Sequence, residues 1–155
     1  MERRVFALLT EPSGELYSEL LDLAAKECRV ALLVIRRSLP LSGRGMNVLS
    51  RLERFLRDSV ESSEWPGTKL LGEAASVLHY DLGPECAEVL KEATDSLYGW
   101  TQPDLPEDLC LLKDEGMPWL VSIAHERDGY FCLSQDERNR LLSSLPQLSA
   151  VLAEE

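Results

Sequence analysis

The sequence has few histidines, few aromatic residues and no long apolar run, and each shortage closes a class of function. His79 and His125 are the only histidines among 155 residues, while a structural zinc site takes about four ligands. The cysteines do not make up the number. Cys28, Cys86, Cys110 and Cys132 are widely spaced and form no CxxC pair, so they read as buried free thiols. The longest apolar run, Val30 to Ile35, is far short of the ~20 residues that span a bilayer. Near the N-terminus, Thr10-Glu11-Pro12 cuts the run Val5–Leu9 before the apolar region of a signal peptide is complete. A cytoplasmic chain with no membrane partner is expected.

Catalytic motifs are equally scarce. His125-Glu126 begins like the metalloprotease HExxH, but Gly129 stands where the second histidine belongs. Ser42-Gly43-Arg44-Gly45 precedes a helical pattern and could offer backbone donors to an anion, yet it has no P-loop lysine. No catalytic set, cofactor motif or metal site is read from the sequence. The expectation is a protein that is not an enzyme.

What the sequence does have is charge. Sixteen basic residues face 27 acidic ones, a net charge of −11. Residues 28–57 run the other way: Arg29, Arg36, Arg37, Arg44, Arg51, Arg54 and Arg57 stand against Glu53 alone, a local balance of +6. A strongly acidic protein repels phosphate backbones and attracts basic partners.

Periodicity predicts an α+β fold in one domain over 1–155, with a soft boundary near 61–68. Residues 3–9 read as a strand, 14–27 as a helix with Leu16, Leu20, Leu23 and Ala24 on one face, and 29–36 as a strand covered on both sides. Strand, helix, strand in that order predicts a parallel crossover. A second helix is expected over 46–60, with Arg51, Arg54 and Arg57 on its exposed side. A strand follows at 76–82, then a helix opened by Gly83-Pro84 and ended by Gly99. Residues 109–113, 119–126 and 130–133 predict an antiparallel three-strand meander, with Asp128-Gly129 as a two-residue turn. Ser134 and Glu137 form a capping box for a closing helix that Pro146 ends, and a last short helix is expected over 147–153. The helices would pack on a mixed sheet.

Three groups of residues invite a function. If Asp128-Gly129 is the turn, His125 faces Cys132 across the hairpin, close enough for a Cys–His pair. A histidine capping the apolar face of Trp119, Val121 and Ile123 explains the same residues. Arg44, Arg51 and Arg54 could hold an anion or nucleic acid, although the net charge and the lack of interleaved aromatics argue against nucleic acid. The third group is the acidic loop Asp104, Glu107 and Asp108, stiffened by Pro103 and Pro106, with Asp114 and Glu115 at the turn that follows and Trp100 as an anchor.

The acidic loop carries the leading expectation: a non-catalytic binding or inhibitory protein that steers a basic protein partner, a toxin or an enzyme, onto its acidic surface. In size and charge the chain is similar to bacterial immunity proteins and antitoxins, a likeness of composition alone.

Overall fold

The computed structural model describes residues 2–114 and 116–155. Among these residues eight strands form one sheet and four helices accompany it, an α+β fold. The chain opens with β1 (Arg3–Leu8), α1 (Glu15–Glu27), β2 (Val30–Arg36) and α2 (Gly43–Leu52). β3 (Leu56–Ser62) follows, then a small hairpin of β4 (Glu64–Trp65) and β5 (Thr68–Lys69), β6 (Ala75–Asp81) and α3 (Pro84–Ala93). The last third holds β7 (Glu107–Asp114), β8 (Met117–Ile123), β9 (Asp128–Ser134), α4 (Gln135–Ser144) and β10 (Leu152–Glu154). Strand order is β10-β1-β9-β8-β7-β2-β6-β3.

The N-terminal β-α-β unit exists, and β1 and β2 run in the same direction. They are not neighbours, however. The meander β9-β8-β7 stands between them, so every neighbouring pair in this sheet is antiparallel rather than mixed. Adjacency of the two strands is the usual outcome of such a unit, but five ladder positions on β9, from Arg3↔Ser134 to Ala7↔Tyr130, claim one side of β1.

β2 is buried on both faces, as its unbroken apolar run requires. Ala31 and Leu33 point into the large cluster beneath the helices, with Tyr17, Leu20 and Leu21 of α1, Leu52 of α2 and Leu90 of α3. Val30, Leu32 and Val34 face the other way and meet Val77, Cys110, Val121 and Trp65. The β4–β5 hairpin covers that second face. Gly67, with φ +87°, is essential to its seat: a Cβ there would lie 2.9 Å from side-chain carbons of Val121 and Ile123. Residues 61–68 are therefore the end of β3 and this packed hairpin. No helix among the described residues is long and apolar enough to cross a membrane.

Four local expectations are corrected. The helix predicted over 46–60 stops at Leu52 and a short 3-10 turn follows. Residues 56–62 become an edge strand, because pairing with β6 offers them a ladder that a solvated helix would lack. α3 ends at Ala93, short of Gly99: Gly14 N–H donates to Asp95 O and Leu97 N–H donates to Pro12 O, which draws this segment toward the start of α1. The second hairpin loop is residues 124–127, with Arg127 in the left-handed region at φ 54°, and Asp128 and Gly129 belong to β9. The final segment is a 3-10 turn followed by β10, which completes the ladder on the open side of β1. The Ser134–Glu137 capping box is present as read, with both reciprocal hydrogen bonds.

Candidate functional site

The start of β7 carries two adjacent carboxylates that the fold buries. Glu107 is 1% exposed and Asp108 fully buried. Asp108 sits at φ 55°, a region that Asp tolerates better than most residues. Its Oδ2 accepts from the Trp65 indole N–H at 3.1 Å, and its Oδ1 accepts from the Ala124 backbone N–H at 2.9 Å. One carboxylate thus ties the hairpin over the second face to the turn after β8. Burial pushes its pKa up from the ordinary carboxylate value, and the Ala124 and Trp65 donors offset part of that rise.

Glu107 is held from one side only. Its Oε1 accepts from the Gln102 N–H at 3.0 Å and from Thr101 Oγ1 at 3.3 Å. Its Oε2 is buried and has no hydrogen-bond partner among the described residues. His125 Nδ1 lies 3.7 Å from Oε2, on a ring that is 42% exposed. Glu107, Asp108 and His125 each offer a ligand atom, all within 4.8 Å of one another. Gln102 locks the loop behind them. Its Oε1 accepts from the Arg36 N–H, and its Nε2 donates to the carbonyls of Arg36, Leu39 and Pro40.

This arrangement corrects the expected acidic surface. Glu107 and Asp108 are turned inward, and Asp104 remains exposed on the loop. Asp114 is also exposed but sits at the far end of β7, about 20 Å away at the rise of a strand. Glu115 lies outside the described residues. Trp100, expected as an anchor, is fully buried; its indole donates to Tyr17 Oη at 2.9 Å, and Tyr17 Oη donates to Leu90 O. It cannot reach a partner without unfolding the core. Trp119 is buried too, edge-on to Phe131 with ring centroids 5.2 Å apart.

The basic segment is spread over three kinds of structure. Arg44 donates to Ala93 O at the end of α3, Arg51 pairs with Glu92, and Arg54 pairs with Glu85 at 3.2 Å. Arg36, Arg37 and Arg57 pair with Glu73, Glu61 and Asp81. Five of the seven arginines are thus paired with acids from elsewhere in the chain.

The expected His125–Cys132 pair does not form. Tyr130 faces Val121 rather than Arg127, so His125 is in the turn while Cys132 lies well up β9, opposite Val5 of β1. His79, the other histidine, contacts Asp58 Oδ1 at 2.7 Å on the neighbouring strand.

A second feature is the outer surface of the helix layer. α1 and α3 together carry seven carboxylates and two lysines. Glu15, Glu19 and Asp22 share one exposed stripe, and Glu85, Glu88 and Glu92 form another. Lys91 bridges Asp22 and Glu88, both at 2.7 Å, and so joins the two stripes. Among the described residues, Glu15 and Glu19 have no basic partner.

Comparison with family models, with curated proteins and with solved structures finds no match. Function has to be argued from these two features.

Neither was legible beforehand. The Glu107–Asp108–His125 group needs the β7–β8 register, and its Trp65 cover comes from a hairpin far away in sequence. Only the acid spacing on α1, at positions 15, 19 and 22, and on α3, at positions 85, 88 and 92, was there to be read.

Proposed function

We propose that the chain is a non-catalytic binding protein that engages a basic protein partner through the acidic outer face of α1 and α3, in the manner of an immunity protein or antitoxin. One observation carries this reading. Glu15, Glu19, Asp22, Glu85, Glu88 and Glu92 are exposed on adjacent helices, and the basic side chains that reach them leave Glu15 and Glu19 unpaired. The net charge of −11 extends the field of this face beyond contact distance. Such a field speeds encounter with a cationic surface and is screened by salt. The nucleic-acid alternative is the weaker reading, since Arg44, Arg51 and Arg54 are already engaged.

The reading is tested by affinity capture with the full chain at about 50 mM and about 500 mM salt, comparing wild type with the double variant Glu15→Lys, Glu19→Lys. A basic protein should be retained by wild type at low salt, released at high salt, and bound at least about tenfold more slowly by the variant. Retention of no protein, or equal retention by the variant, refutes it.

A further inference from the structure

We infer that Glu107, Asp108 and His125 form a binding site for a divalent transition-metal ion of the zinc class. This site is separate from the acidic helix face and does not depend on that reading.

The strongest observation is the state of Glu107. A carboxylate oxygen with almost no solvent contact and no donor is costly, and Oε2 is one. It is aimed, by the two hydrogen bonds on Oε1, at an imidazole nitrogen 3.7 Å away. That separation is too long for a hydrogen bond. It is close to that of two ligands on one ion: bonds of about 2.1 Å at a tetrahedral angle put donor atoms about 3.4 Å apart, and an angle of about 124° gives the observed spacing.

Asp108 completes the set. Each of its oxygens accepts one hydrogen bond and keeps a second lone pair. The supporting contacts have the form that metal sites use to aim their ligands, with Gln102 N–H and Thr101 Oγ1 on Glu107 and Trp65 and Ala124 on Asp108. The exposed side of His125 leaves a path for the ion and room for water to complete its coordination. One nitrogen and two oxygens suit zinc or cobalt better than magnesium, which prefers an all-oxygen shell. Arg36 also acts on Asp108 at a distance and opposes a cation, so Glu107 and His125 are assigned the main share of affinity.

The test is calorimetric titration and thermal unfolding of the metal-stripped full chain at near-neutral pH, with Zn²⁺ as ligand and Mg²⁺ as comparison. Half-buried Cys132 is a second potential zinc ligand, so every measurement is repeated on a Cys132→Ser background. Expected are one zinc bound per chain, a rise in melting temperature, and affinity lowered by at least about tenfold in Glu107→Gln and in His125→Ala. His125 is exposed, so its variant should fold even if Glu107→Gln does not. The inference is overturned by no binding at about 1 mM Zn²⁺, by undiminished affinity in His125→Ala, or by an equal response to Mg²⁺.

Discussion

The indole N–H of Trp65 donates to the carboxylate of Asp108 across 43 residues of sequence, at 3.1 Å in a buried setting. This bond fastens the β4–β5 hairpin over β2 and β8. The same carboxylate holds Ala124 in the turn that presents His125. Asp108→Ala removes the acceptor from both donors and should cost about 2–5 kcal/mol, whereas Trp65→Phe, which loses one donor and some packing, should cost about 1–3 kcal/mol. Urea unfolding of both variants checks the order.

Asp108 also sets a pH dependence. Its folded-state value is raised, burial being the largest cause, so its favourable contribution is fully present below the unfolded value of ~3.9 and is lost as pH rises through the folded value. The stability of wild type relative to Asp108→Asn should therefore fall as pH rises above about 4. A difference that stays flat, or rises, contradicts the assignment.

Gly67→Ala should unseat the hairpin. The position has positive φ, and the added carbon would meet Val121 and Ile123 at 2.9 Å. A loss of about 1–3 kcal/mol is expected, with faster amide hydrogen exchange in residues 63–70 than in β2. Uniform exchange would show that the hairpin opens only with the whole fold.

Glu137 joins the start of α4 to Arg3 at the start of β1 and to Lys113 near the end of β7. Burial opposes its ionisation, but the Ser134 N–H, Lys113 and Arg3 outweigh burial and hold it below the usual carboxylate range. Its contribution is therefore present above the unfolded value of ~4.3 and is lost as pH falls through the depressed folded value. Glu137→Gln should cost about 2–4 kcal/mol near neutrality, and the gap should close in acid. Denaturant midpoints across that range measure it.

The thiols should divide into one and three. Burial pushes Cys86 and Cys110 up to about 12 and drives Cys28 up as well, while Cys132 is only half-buried. Thiolate is the reactive form. A disulfide reagent at about pH 8 should label Cys132 first and the other three only on unfolding. Fast labelling of a second site would refute the burial pattern.

Elements with a local cause were legible. The unbroken run at 30–35 required a strand buried on both sides, Gly83-Pro84 started α3, and Ser134 with Glu137 capped α4. Boundaries that depend on a distant partner were not. Residues 56–60 carry a helical spacing, yet β6 takes them as an edge strand; Asp128-Gly129 carries a turn signal, yet the Asp108–Ala124 bond fixes the turn four residues earlier.

Local pattern, capping chemistry and charge were enough to specify an α+β protein with a strongly negative balance, because each of these is settled within a few residues of chain. Which strands became neighbours, which acids were buried and which arginines were neutralised were decided by contacts between segments far apart in sequence. Glu107 and Asp108 show why. Nothing in Pro-Glu-Asp-Leu distinguishes a solvated acidic loop from a buried carboxylate pair until Trp65, Gln102 and Ala124 arrive from elsewhere to supply the donors that make burial affordable.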